Sequence, residues 1–344
     1  MYSSYSSLQQ SQLAAQGYYD TQSTYLLVYA PGRNTALRAT LADQLHRKFR
    51  LADTLGSALT EGVDGVLLVS EDVECMSTAL MCFAKALQDG ADYAVCNAVF
   101  GFGGATALYQ SRAHLAQNRC ALVSRPLLER CRAAAKDPEN VTELLALAAQ
   151  FCAHPARIPQ ALLHYERDIC AEDAFSATGK RAFLMSHVLD MTGAPIVLVS
   201  AVPVLRSMGY EVVVLGPSDG GALQLFVDAG AAVITRPGIR ATPNLWGLAL
   251  CTDLVLVNTV VMARTVRALS GTAVPVLWWL HDAFAGYPHI AHQIPTKLAG
   301  NVRLYSVGHH AANAMHAVRP DFQIGQLIYG LPDYAAEDFP RCDL

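Results

Sequence analysis

A glycine-bearing turn between an apolar run and a helix-like stretch is the first place in this chain where residue types and spacing could do chemistry. Residues 181–188, Arg-Ala-Phe-Leu-Met-Ser-His-Val, read as a buried strand. Residues 189–195 form a loop containing Thr192, Gly193, Ala194 and Pro195, and residues 196–208 read as a helix closed by Gly209. A second β-branched run, 210–215, follows and ends in Gly216, Pro217, Ser218 and Asp219. This is the strand–helix–strand unit of a doubly wound sheet. The turn after the first strand of such a unit faces the ligand crevice, and free N–H groups at the helix start attract anions such as phosphate. There is no GxGxxG, so the turn is not the dinucleotide fingerprint. Gly193 also has a plain reading, a tight turn that wants no Cβ. Pro203 inside the helix is expected to kink or break it.

Other polar groupings are weaker. Ser70-Glu71-Asp72-Val73-Glu74 follows an apolar strand at 65–69 and reads on its own as a strand end with solvated acids. Gly101-Phe102-Gly103-Gly104 reads as a flexible loop. His289 and His292, and His309, His310 and His316, have no cysteine or carboxylate at metal-like spacing and read as surface histidines. No Gly-x-Ser-x-Gly or Cys/His nucleophile pattern is present.

The elements that would position these residues fit two α/β domains in 344 residues. Apolar residues make up 52% and charged residues 16%, which suits parallel strands buried on both faces. Net charge is −4 with no basic cluster, which argues against nucleic acid as a partner. Nine scattered cysteines without CxxC read as reduced thiols of a cytoplasmic protein. No apolar run is long enough to span a membrane, although the apolar composition leaves peripheral membrane contact open. Residues 1–24 read as a flexible leader. The pattern then gives strands at 25–29, 65–69, 93–99 and 120–123, and helices at 35–49, 51–60, 76–87, 125–134 and 141–152, the last opened by Asn140. The segment 157–165 closes the first half, and polar residues 167–180 read as a linker. Beyond the opening unit of the second half, further strands are expected at 232–234, 254–258, 274–280 and 302–307.

With these segments in order, residues 181–333 resemble the N-terminal lobe of a family 4, GT-B type glycosyltransferase. The resemblance rests on Ser186-His187 leading into Thr192-Gly193-Ala194-Pro195, on Gly209-Tyr210-Glu211-Val212, and on Asp253-Leu254-Val255-Leu256-Val257-Asn258-Thr259. It continues through Pro275-Val276-Leu277-Trp278-Trp279-Leu280-His281-Asp282, Tyr305-Ser306-Val307 and Ile328-Tyr329-Gly330-Leu331. It implies an acceptor-binding lobe in which His281 and Asp282 are catalytic and Gly193, Ala194 and Asn258 bind donor phosphate or acceptor. Read without the resemblance, His281 is a capping or solvated loop residue. The family's second lobe binds the nucleotide sugar with a basic pair and a Glu-x7-Glu signature. The chain stops at Leu344, where that lobe would begin, so the crevice is expected to have one wall.

More faintly, residues 25–166 resemble a GT-A type family 2 glycosyltransferase. The match rests on Gly65-Val66-Leu67-Leu68-Val69-Ser70-Glu71-Asp72-Val73-Glu74, Ala121-Leu122-Val123-Ser124-Arg125 and Ile158-Pro159-Gln160-Ala161-Leu162-Leu163-His164-Tyr165. In that family two aspartates of the first motif hold a divalent metal, and hard cations want such oxygens. Here Ser70 replaces the first and Asp72 keeps the second, so the metal site is expected to be lost. The strand carrying the family's uridine-binding acid is expected to be absent, and the domain degenerate.

The expectation is therefore an α/β protein of two consecutive Rossmann-like domains, a degenerate GT-A-like domain (25–166) and a single GT-B N-terminal lobe (181–333), with a tail at 334–344. The function implied is a glycosyltransferase-related protein, hexosyltransferase-like if active. It would move a sugar from a nucleotide-sugar donor, as substrate rather than cofactor, to a cell-surface or polysaccharide glycan, with retention at the anomeric carbon. The partners implied are a glycan acceptor and a donor-lobe or glycosyltransferase protein. The alternatives are a non-catalytic module binding a glycan or a partner, and a fragment of a longer enzyme.

Overall fold

The structure is a computed structural model that describes residues 21, 23–56, 62–101, 106–110, 119–175, 179–239 and 247–330. The expected tail (334–344), Phe102 to Gly104 of the glycine-rich loop and almost all of the leader lie outside these residues. The chain divides into two compact units, Met1–Ala177 and Thr178–Leu344. Both are mixed α/β. Among the described residues no helix is long and apolar enough to cross a membrane.

The first unit is built on β1 (Leu26–Tyr29), α1 (Thr35–Leu41), β2 (Phe49–Ala52), β3 (Gly65–Val69), β4 (Glu74–Cys75), α2 (Ala79–Gln88), β5 (Tyr93–Gly101), β6 (Thr106–Gln110), β7 (Cys120–Ser124), α3 (Arg125–Ala134), α4 (Val141–Phe151) and β8 (Pro155–Asp168). Strand order is β6-β5-β7-β3-β1-β2; β1, β2 and β3 run parallel and β7 runs antiparallel between β3 and β5. β8 pairs with β5, and β4 with β8. All five residues of β3 and of β7 are buried, which is why their apolar runs are continuous. Ser124 and Asn140 cap α3 and α4 by accepting from the amides of Leu127 and Glu143.

Several expectations fail here. The helix expected at 51–60 is not found among the described residues 51–56, because 49–52 form β2, hydrogen-bonded parallel to β1. The strand expected to be missing is therefore present, and Asp53 follows it. Its alternating pattern is weak, since only Ala52 of the four is buried. The helix expected to reach residue 49 stops at Leu41, where the chain turns toward β2. Residues expected to form a linker include the end of β8 and a helical turn at Ala171–Ala174.

The second unit comprises β9 (Lys180–Met185), α5 (Gly193–Ser207), β10 (Tyr210–Gly216), α6 (Ala222–Asp228), β11 (Ala232–Thr235), β12 (Leu254–Asn258), α7 (Ala263–Leu269), β13 (Val276–Leu280), β14 (Val302–Ser306), α8 (His309–His316) and β15 (Ile324–Gln326). The strands are parallel in the order β15-β14-β13-β12-β9-β10-β11. The core joins Leu184, Val214, Val233, Leu256 and Trp279 to Val197, Leu198, Val202 and Leu205 of α5. Gly209, at φ 85°, supplies the left-handed residue that turns the chain out of α5. Pro203 does not interrupt α5, which runs unbroken through it; Pro203 is exposed, and solvent can serve a backbone carbonyl that its missing N–H leaves unpaired. β15 was not expected, being only three residues with a glycine at its centre.

Candidate functional site

In the second unit the chain leaves β9 in one direction through β10 and β11, then returns to the other side of β9 with β12 and continues outward through β13, β14 and β15. Loops leaving β9 and β12 diverge, so a crevice opens at their carboxyl ends, the switch point where open α/β sheets bind ligands. Ser186 and His187 follow β9, Asn258 ends β12 and Thr259 follows it, His281 and Asp282 follow β13, and Ser306 ends β14.

Hydrogen bonds tie these residues together. The Asn258 amide Nδ2 donates to the Ala194 carbonyl at 3.0 Å. Thr259 Oγ1 lies 3.2 Å from His187 Nδ1. The Val260 amide donates to Asp282 Oδ2 at 2.6 Å. The Thr259 amide donates to the Trp279 carbonyl at 2.8 Å, and the Trp278 indole donates to the Thr259 carbonyl at 2.8 Å. Ala194, Asn258, His281 and Asp282 thus meet at one end of the sheet, although they are far apart in sequence.

Thr259 pays for this geometry with strain. Its φ of 71° and ψ of 161° lie in a region that only glycine enters freely. Such a backbone costs about 1–3 kcal/mol and persists only where its surroundings over-determine it. Here both backbone polar groups of Thr259 are engaged by β13, and its side chain by His187 after β9. The sequence does not single out His187 or Thr259 as site residues; neither has a spacing signal, since one follows the first strand of the unit and the other the fourth.

The crevice floor also holds buried polar atoms with no hydrogen-bond partner: Asn258 Oδ1, His281 Nε2, Tyr287 Oη and Ser306 Oγ. Buried polar groups are nearly always satisfied, so four at one sheet end are open to a water or a bound ligand. His281 packs against the Trp279 ring at 4.7 Å. Burial, and secondarily the charge of His187, push the His281 imidazole down to about 4. It is therefore neutral at neutral pH, and suited to accept or share a hydrogen bond rather than to deliver a proton. Burial raises the Asp282 carboxyl above its ordinary value, against the opposing hydrogen bonds of the Val260, Asp282 and His281 amides.

Gly193 opens α5, and geometry leaves the amides of Gly193 and Ala194 without intrahelical partners; Pro195 has none to offer. The plain reading of Gly193 as a residue that cannot carry a Cβ is not what the structure shows, because a Cβ there would meet nothing within 4 Å. The glycines that cannot be replaced lie in the facing loop after β10. A Cβ on Gly216 would come within 2.4 Å of the Leu189 side chain, and one on Gly220 within 2.3 Å of the Leu189 carbonyl oxygen.

In the first unit each carboxylate of the acidic motif has an internal partner. Asp72 accepts from the amides of Ala36 and Leu37 at 3.0 and 3.1 Å and lies 3.3 Å from the Thr35 hydroxyl, so it caps α1 from another loop. Burial opposes its charge, but these bonds and the Val73 amide hold the carboxyl below its ordinary value. Glu71 pairs with Arg167 at 2.6 Å, and Glu74 with His164 at 2.7 Å. Arg167 also pairs with Asp173, which is 4% exposed, at 2.6 Å, and packs over Phe100 and Tyr165. The Ser70 hydroxyl donates to the Arg119 carbonyl. Asp53, after β2, pairs with Arg38. Among the described residues no group of three or more His, Cys, Asp or Glu is placed to hold a metal ion. Of the remaining histidines, His316 bonds the Phe322 carbonyl and His309 contacts Gln326.

Neither a curated protein nor a solved structure matches the chain. Residues 178–313 match the family model described as Glycosyl-transferase family 4, and this span contains β9 to β14 and every crevice residue named above. The matched span lies on the Rossmann-like parallel sheet of the second unit, which is similar to a glycosyl-transferase family 4 region.

Proposed function

We propose that the second unit is the acceptor-binding, GT-B type N-terminal lobe of a sugar-transfer system. A donor-binding lobe, from elsewhere in a longer polypeptide or from a partner protein, would supply the nucleotide sugar. The observation that supports this is the strained, hydrogen-bonded set Ala194–Asn258, His187–Thr259 and Val260–Asp282 at the switch point, inside the segment that matches the family. In this reading His281 hydrogen-bonds a sugar hydroxyl as a neutral imidazole. Asp282 fixes the Val260 amide and with it the Thr259 turn. Asn258 and the first-turn amides of Gly193 and Ala194 line the place where acceptor and donor phosphate meet. The overall process would be transfer from a nucleotide sugar to a cell-surface or polysaccharide glycan, with retention. The first unit would be a GT-A-like scaffold whose acidic motif has become structural.

A second reading, a non-catalytic glycan-binding module, is favoured by one observation: the acidic motif of the first unit is tied up in internal pairs. Both readings predict glycan binding by the full chain. His281→Ala should lower that binding about tenfold, the equivalent of one lost hydrogen bond, with an unchanged thermal midpoint. Binding by the unaltered protein should stay level across neutral pH and fall as the pH drops through about 4, where His281 takes up a proton. Glycan retention indifferent to His281 would overturn the assignment of the crevice. Sugar transfer to the bound glycan when a donor lobe is added separates the first reading from the second.

A further inference from the structure

We infer that the crevice of the second unit takes an uncharged, hydroxyl-rich ligand, a neutral saccharide chain, and discriminates against acidic ones; this rests on the glycan reading above. Two independent observations carry it. The first is the chemistry of the unpaired groups on the crevice floor. Asn258 and Ser306 are fully buried and Tyr287 is 1% exposed, and their Oδ1, Oγ and Oη atoms lack partners, as does His281 Nε2. One acceptor, two hydroxyls and one imidazole nitrogen match groups that donate and accept at once, which is what sugar hydroxyls do. No positive charge is among them.

The second observation is the charge of the loops around that floor. Residues 186–192, 216–221, 259–262, 281–286, 307–308 and 327–330 leave the carboxyl ends of β9, β10, β12, β13, β14 and β15. They contain no lysine and no arginine, but they contain Asp190, Asp219 and Asp282. Asp190 and Asp219 are exposed. The chain after β11, at the same sheet end, carries Arg236 and then Arg240, which lies outside the described residues, and Arg264 lies in the first turn of α7. Arg236 is 4% exposed and donates to the Pro237 carbonyl. An acidic ligand seated on Asn258, His281, Tyr287 and Ser306 would lose water without gaining a cation from them, and would meet the like charge of Asp190 and Asp219 at the mouth. The α5 first-turn amides offer only partial charge in return. The lip is also apolar: Met191, Phe284 and Ile328 are 63%, 62% and 72% exposed on three of these loops. Such side chains suit the C–H faces of an uncharged sugar ring.

The test is an array of matched glycan pairs, each a neutral hexose oligosaccharide and the same backbone with one hexose replaced by its uronic acid, probed with the full chain. The neutral member should be retained at least about tenfold better. High salt should narrow the ratio by screening the aspartates. Asp190→Lys combined with Asp219→Lys should narrow it too, with retention of the neutral member unchanged. Equal or better retention of the acidic member by the unaltered protein would overturn the inference, as would a ratio indifferent to both salt and the lysine substitutions. Retention of no member of any pair would instead overturn the proposed function itself.

Discussion

The two units handle polar groups at their strand ends in opposite ways. At the end of β3, Glu71, Asp72 and Glu74 are each closed by Arg167, the start of α1 and His164. At the ends of β12, β13 and β14, Asn258, His281 and Ser306 each keep a buried polar atom unpaired, and Thr259 is held in a backbone conformation that costs free energy. Polar groups satisfied within the chain add stability and lose the ability to bind anything else. Groups left unsatisfied weaken the fold and are explained by a ligand. Unpaired buried polar atoms also occur in the first unit, at Asn34, Thr78 and Gln160, so the contrast is confined to these two sets of strand ends.

Substitutions at three positions would break or sharpen that contrast. The largest effect is expected from Arg167→Met, which strips the cation from Glu71 and leaves Asp173 only the Arg119 cation, 3.6 Å away. It should cost the first unit about 3 kcal/mol, the low end for breaking a buried pair, because the guanidinium is itself 34% exposed. Hydrogen exchange of the β3 and β8 amides would measure it, and a loss below ~1 kcal/mol would mean the network is only a surface decoration. Next comes a pair of changes at Thr259. Thr259→Ala keeps the strain and loses the bond to His187, whereas Thr259→Gly loses the bond but relieves the strain. The glycine variant should be the more stable of the two by about 1–2 kcal/mol in thermal unfolding. The reverse order would remove strain from the description of the crevice.

The smallest effect belongs to Asp72→Ala, which uncaps α1 and should cost about 1 kcal/mol at neutral pH. Because the folded Asp72 carboxyl titrates below its ordinary value of 3.8, its contribution is complete above that value and disappears as the pH falls through the lowered one. The stability curves of the two proteins should therefore converge in acid. Curves that stay parallel to the lowest pH would show that Asp72 does not cap the helix as a charged group.

Much of the second unit was legible in the sequence because its strands are buried on both faces. The runs at 182–185, 212–215 and 254–257 are continuous and apolar, and parallel strands leave that trace. β2 and β15 were not legible: β2 buries one residue of four, and β15 has three residues with a central glycine. Of the crevice, only the resemblance to family 4 glycosyltransferases singles out His281 and Asn258. The Asn258–Ala194 and Thr259–His187 pairs leave no trace in the sequence, because they depend on β9 and β12 becoming neighbours across about seventy residues. The same limit hid Asp72, whose partners lie on a helix more than thirty residues earlier. An acidic motif read along the chain gives no sign of whether its oxygens are already engaged.

The tryptophans have an optical consequence. The chain contains three, at 246, 278 and 279, so the first unit has none. Trp278 donates to the Thr259 carbonyl, and Trp279 donates to the Leu327 carbonyl while its ring lies against His281. Both indoles are buried on the strand that leads into the crevice. Emission excited at the indole band therefore originates in the second unit alone, with two of its three fluorophores within a few ångströms of the residues on which any ligand would act. Protonation of His281 should quench Trp279, and occupancy of the crevice should shift the emission, with no label attached.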